Sequence, residues 1–182
     1  MWLTRATRST GHSPKLREAK NACGHGSTAQ PTLLAPRPLT SIDASFLANE
    51  SSTSHMHIGA VTIFEGPPPS YEDLLEHVEG RLHLVPRYRQ KLAVPPMETG
   101  RPFWVDDPQF NLGYHVRHSA LPPPGDEGVL RRMAARVFSQ QLDRTKPLWE
   151  LWLVEGLRKK RFALISKTHH ALVDGVAGVD IA

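Results

Sequence analysis

Apolar positions along the chain fall into two periods. Met56 to Phe64, Trp149-Glu150-Leu151-Trp152-Leu153-Val154 and Phe162-Ala163-Leu164-Ile165-Ser166-Lys167-Thr168 are short runs rich in β-branched, aromatic and aliphatic residues, the composition of strands. The last two flank Arg158-Lys159-Lys160, and the arrangement predicts an antiparallel hairpin. Leu74, Leu75, Val78 and Leu82 recur at helical spacing behind Ser70 and Asp73, which read as a capping box, and Pro86 ends that helix. A Pro- and Gly-rich loop, 121–128, precedes a second helix with Leu130, Met133, Ala134, Val137 and Phe138 on one face. Ser41 to Leu47 predicts a helical turn. The fold class is α+β, a mixed sheet with packed helices, without repeats or heptads.

Residues 1–37 break this patterning. They mix Ser, Thr, Gly, His and Pro without period, too little apolar surface to offset ordering entropy, so a disordered basic leader is expected. Six basic residues (Arg5, Arg8, Lys15, Arg17, Lys20, Arg37) face one acid there, Glu18, whereas residues 38–182 carry sixteen Lys and Arg against seventeen Asp and Glu. The chain's +4 charge therefore resides in the leader. The body has no basic stripe with interleaved aromatics, which excludes a nucleic-acid surface as a partner. No run approaches the roughly 18 apolar residues of a membrane span, and the leader lacks the apolar centre of a secretion signal. Its arginine-rich character loosely resembles a transit peptide, but Pro14, Gly24 and Gly26 interrupt any amphipathic helix, and an upstream translation start explains it equally well. One cysteine, Cys23, rules out a disulfide framework and, with His12 and His25, makes a poor metal site.

The candidate chemistry lies in Lys167-Thr168-His169-His170-Ala171-Leu172-Val173-Asp174-Gly175. A strand end followed by a short loop holds an imidazole rigidly yet within reach, as a general base requires. Successive strand side chains diverge, so only one of His169 and His170 faces a given cleft. Neutral imidazole accepts and returns a proton near neutrality. Asp174 is placed to orient the ring, to pair with a distant arginine, or to cap a helix begun by Gly175-Val176-Ala177-Gly178-Val179. A His-His pair alone is more often structural than catalytic, and divergent strand histidines with no second chelating pair make no zinc site.

The run matches the H-H-x-x-x-D-G signature of the CoA-dependent acyltransferase superfamily. Five blocks precede it: Pro38-Leu39-Thr40-Ser41-Ile42-Asp43-Ala44-Ser45-Phe46; His55-Met56-His57-Ile58-Gly59-Ala60; Val85-Pro86-Arg87-Tyr88-Arg89-Gln90-Lys91-Leu92; Trp104-Val105-Asp106-Asp107-Pro108-Gln109-Phe110-Asn111-Leu112 with Tyr114-His115-Val116-Arg117-His118; and Pro147-Leu148-Trp149-Glu150. In that order they resemble the bacterial wax ester synthase/diacylglycerol acyltransferase family over residues 38–182.

The resemblance implies the N-terminal lobe of a two-lobed, chloramphenicol acetyltransferase-like fold. It implies transfer of a fatty acyl group from acyl-CoA, as co-substrate, to a diacylglycerol or a long-chain fatty alcohol, with no bound cofactor, no metal and no covalent acyl-enzyme. By similarity His170 is the general base, His169 supports it, Asp174 is a structural anchor paired with an arginine, and Gly175 fits where backbone passes close or turns sharply. Trp149 and Trp152 are candidates for lining an acyl tunnel, although tryptophan on a strand is a core residue first. Arg87 and Arg89 are within reach of coenzyme A phosphates, with a solvated turn the plainer reading. A cytoplasmic protein, peripheral at the inner membrane or at lipid inclusions, follows from the same resemblance. The chain ends seven residues past Gly175, so the other wall of the cleft, in a C-terminal lobe, is expected to be missing and the chain inactive alone. Two other functions stand beside this one: a condensation-domain-like acyltransferase, against which the blocks at Trp104 and Tyr114 speak, and a non-catalytic truncated lobe that binds lipid or a partner.

Overall fold

A computed structural model of the chain describes residues 2–6, in main chain only, and residues 37–95 and 100–173. The scaffold is a five-stranded sheet in the order β1-β3-β8-β7-β6, formed by Trp2–Ala6 (β1), His57–Glu65 (β3), Arg161–His169 (β8), Trp149–Leu157 (β7) and Val116–Ala120 (β6). β3, β8 and β7 pair antiparallel, while β1 and β6 lie parallel to their neighbours. A three-stranded sheet of Arg37–Pro38 (β2), Phe103–Asp106 (β5) and Gln90–Ala93 (β4) stands apart, in the order β2-β5-β4.

The expected hairpin forms as β7 and β8, and it turns at Lys159 and Lys160, which take φ of 64° and 53°. Gly156, at φ 83°, sits in the bulge of β7, where an added Cβ would lie 2.9 Å from the Leu121 carbonyl oxygen.

Side-chain alternation on the hairpin separates two cores. Trp149, Leu151, Leu153 and Leu164 face one core with Leu39, Leu47 and Trp104, and Val154, Ala163 and Ile165 face the other with Val61, Ile63 and the buried stripe of a helix. That helix is Glu127–Phe138, the last of four among the described residues: Ser41–Asn49 (α1), Tyr71–Glu79 (α2), Leu112–His115 (α3) and Glu127–Phe138 (α4). Each of α1, α2 and α4 begins at a side-chain cap: Thr40, Ser70 and Asp126 accept the backbone N–H of Asp43, Asp73 and Val129 at 3.1, 3.0 and 2.9 Å.

Two expectations need correction. α2 ends at Glu79, ahead of Pro86, because Gly80 closes it; Leu82 is buried from a separate 3₁₀ turn, Leu82–Leu84. The leader is not without ordered elements: Trp2–Ala6 adds a strand to the outer edge of β3, Trp2 opposite Ala60 and Ala6 opposite Phe64. A sheet edge offers unpaired N–H and C=O groups that any extended segment can satisfy through its main chain, so a side-chain pattern does not reveal it. Cys23, His12 and His25 lie outside the described residues. Among the described residues no helix is long and apolar enough to cross a membrane.

Candidate active site

β8 delivers the histidine pair as it leaves the sheet. His169 is its last residue, opposite His57 in the ladder, and its N–H donates to the Leu148 carbonyl at 3.0 Å. His170 opens a 3₁₀ turn, His170–Leu172, and its N–H donates to the Met56 carbonyl at 2.9 Å. The change from strand to turn between the two residues sends their rings apart. His169 is 1 % exposed, whereas His170 is half-buried and stacks on Phe46 of α1, with centroids 4.8 Å apart and 20° between planes.

His169 points back into the fold. Its Nδ1 accepts the Ala171 N–H at 3.0 Å, so the neutral ring carries its proton on Nε2, which lies 3.6 Å from Oε2 of Glu50. Among the described residues Nε2 has no hydrogen-bond partner at normal length. Burial lowers the imidazole to about 4, and the Glu50 charge opposes this only in part.

Glu50 follows α1 directly. Its Oε2 accepts Arg144 Nε at 3.0 Å and Nη2 at 2.7 Å, and Oε1 takes a long contact from the Met56 N–H at 3.4 Å. Arg144 also donates to the Leu47 carbonyl at 3.0 Å. Burial pushes the Glu50 carboxyl up, but the Arg144 hydrogen bonds, the His169 charge and the Met56 N–H together hold it below the usual value.

Two further basic groups flank this cluster. His57 stacks on His55 at 5.6 Å, and its imidazole is lowered by burial and then by the charges of Lys167 and His55. Lys167, 1 % exposed, donates to the carbonyls of Val137 and Gln140 at the end of α4; burial lowers its ammonium, against the pull of Glu150.

The structure thus brings His169 and His170 together and places them on opposite sides of the strand end. It does not bring Trp149 and Trp152 onto one surface. Three residues apart on β7, they face different cores: Trp149 is buried, stacked on His115 at 4.7 Å and donating from Nε1 to the Tyr88 carbonyl, while Trp152 is half-buried beneath the Arg117 guanidinium. Arg87 lies 3.9 Å from Asp43 and over the Trp104 ring, and Arg89 lies over Phe110. Asp174 and Gly175 lie outside the described residues. Among the described residues no three His, Cys, Asp or Glu side chains gather as metal ligands. Glu50 and Arg144 were not singled out from the sequence, since they meet across 94 residues and neither sits in a spacing that marks a site.

Residues 39–182 match the family model of the wax ester synthase/diacylglycerol acyltransferase catalytic domain. The chain is 46 % identical over 145 residues to the probable diacylglycerol O-acyltransferase tgs3 of Mycobacterium tuberculosis, covering 79 % of this chain and 54 % of that protein. Against tgs1 of the same organism it is 42 % identical over 145 residues, covering 79 % of this chain and 31 % of that protein. It therefore spans between about a third and about half of these relatives' length. Among solved structures, the wax ester synthase/diacylglycerol acyltransferase of Marinobacter aquaeolei VT8 superposes with a TM-score of 0.66 at 35 % identity, over 77 % of this chain and 36 % of that one. The starter condensation domain of rhizomide synthetase RzmA superposes with a TM-score of 0.61 at 15 % identity, over 78 % of this chain and 34 % of that one, a likeness of fold alone. With the family's histidine motif at the end of β8 and a mixed α+β sheet of the same fold, the chain belongs to the wax ester synthase/diacylglycerol acyltransferase family.

Proposed function

We propose that the chain carries the basic half of an O-acyltransferase site that moves a fatty acyl group from acyl-CoA to a diacylglycerol or a long-chain alcohol. The observation that carries this reading is the contrast within the histidine pair: His170 is half-exposed on Phe46, while His169 is buried and held neutral behind it. His170 takes the proton of the acceptor hydroxyl as its oxygen attacks the thioester carbonyl. The carbon–sulfur bond then breaks, and His170 returns the proton to the departing thiolate, leaving ester and free thiol. His169 supports the turn, and Asp174 anchors the loop beyond it through an arginine.

An exposed apolar side chain beside the motif strand is consistent with acyl substrates. Ile58, 45 % exposed, pairs in the ladder with Thr168, two residues before His170. Ile42, Leu84, Val94 and Phe103 are further large apolar side chains left exposed. Cover by a second lobe, and beyond it contact with a membrane or lipid-inclusion surface, is consistent with these.

The test joins residues 39–182 to the remainder of the Marinobacter protein and follows ester formation from palmitoyl-CoA with diacylglycerol and with hexadecanol. The chimera should form ester, and His170→Ala should lower turnover by roughly 10²–10⁴ with folding unchanged. His169→Ala should retain more activity than His170→Ala. Equal activity with and without the His170 imidazole would sink the assignment.

A further inference from the structure

We propose that Glu50, locked by Arg144, is the positioning residue of the histidine pair: its carboxylate ties together the two backbone segments that hold His170. This deepens the acyl-transfer reading and rests on it for its catalytic meaning.

The connections run both ways around His170. On one side, Oε1 takes the Met56 N–H, and the carbonyl of the same Met56 accepts the His170 N–H at 2.9 Å. On the other, Oε2 faces His169 Nε2 at 3.6 Å, while Nδ1 of that ring accepts the N–H of Ala171, the residue after His170. A third link is covalent, since Glu50 closes α1, whose Phe46 carries the His170 ring.

Each part has a reason to be ionic. The Glu50 side chain is 1 % exposed, and an unpaired carboxylate at that depth would be protonated; the two-pronged Arg144 contact keeps it charged. A charged acceptor beside Nε2 selects the tautomer that leaves Nδ1 free to accept from Ala171. Protonation of Nδ1 would break that bond and release the start of the turn. Arg144, its side chain 44 % exposed, binds the same Oε2 that faces His169, so one carboxylate oxygen joins the guanidinium to the imidazole.

The experiment uses the full chain with ¹⁵N-labelled histidine and needs no turnover, so it stands or falls separately from the acyl-transfer reading. Long-range ¹H–¹⁵N spectra at neutral pH should give His169 one protonated nitrogen, Nε2, and one acceptor nitrogen, Nδ1, with the Ala171 amide slow to exchange. Glu50→Gln keeps the shape and removes the charge. It should mix the His169 tautomers and speed Ala171 exchange about tenfold, the effect of one lost hydrogen bond. Amides of the β7–β8 hairpin serve as the internal control and should keep their protection. Arg144→Ala should reproduce the effect, and Arg144→Lys, which restores a cation, should reverse it in part. In the chimera, Glu50→Gln should lower kcat about tenfold with KM little changed. Unchanged His169 tautomer and Ala171 exchange in Glu50→Gln would overturn the proposal, whatever the assay reads. Equal loss of protection across the hairpin would overturn it too, by showing a general stabilising role.

Discussion

The His170 imidazole lies almost parallel to the Phe46 ring, 4.8 Å from centroid to centroid, so a helix near the start of the folded body holds the motif histidine near its end. The stack covers one face of the imidazole and restricts rotation about the side chain. Phe46→Leu keeps apolar cover and removes the aromatic face. Stability should fall by about 0.5–1.5 kcal/mol, the usual worth of an aromatic pair beyond its burial. His170 ring-proton resonances should shift with the lost ring current, and an unchanged spectrum would show that the imidazole rests elsewhere in solution.

Acid should destabilise the fold through its buried histidines. The folded value of His169 is about 4 against 6.5 when unfolded, so between those values the unfolded chain binds the extra proton. Stability is therefore full above about pH 6.5 and falls as pH drops toward 4, by about 3 kcal/mol for this group at 1.36 kcal/mol per pH unit. Burial lowers His57 and His115 in the same direction. Glu50, held low, adds a loss of the same sign as pH falls below its unfolded value of 4.5. Urea unfolding at steps from pH 4 to 7 should show this slope, and His169→Asn should flatten it. A stability independent of pH across the window would contradict the burial of neutral His169.

Gly59 admits the Phe138 ring where α4 meets β3, and a Cβ there would collide with Phe138 Cε1. Gly59→Ala should cost about 1–3 kcal/mol, the usual range for overpacking. Phe138→Leu in the same chain should recover part of that loss, a coupling that a double-mutant cycle reads directly. Additive losses would place the strain elsewhere.

Removing residues 1–6 should expose the outer edge of β3. Amides of β3 that point toward β1 should exchange faster, while those of the β7–β8 hairpin keep their protection, because β3 retains β8 on its other side. Undiminished protection at residues 60–64 would mean that Trp2–Ala6 does not pair there in solution.

Local chemistry determined much of this molecule. Ser70 before the Leu74 and Val78 stripe, and the charged turn between two apolar runs, specify a capped helix and a hairpin because both depend on neighbours in the chain. The histidine motif and the blocks ahead of it were legible for the same reason, each being a short run with its own spacing. Which ring faces outward, and what holds it, was decided by tertiary structure. The strand becomes a 3₁₀ turn between His169 and His170, so one imidazole is buried against Glu50 and the other lies on Phe46. Glu50 and Arg144 meet across 94 residues, and no local periodicity encodes a contact closed when the end of α1 meets the segment between α4 and β7. Trp149 and Trp152 read as a pair along the chain, but the two-residue period of the strand sends them into different cores. The edge strand Trp2–Ala6 pairs through main-chain groups common to every residue, which is why only the assembled sheet reveals it.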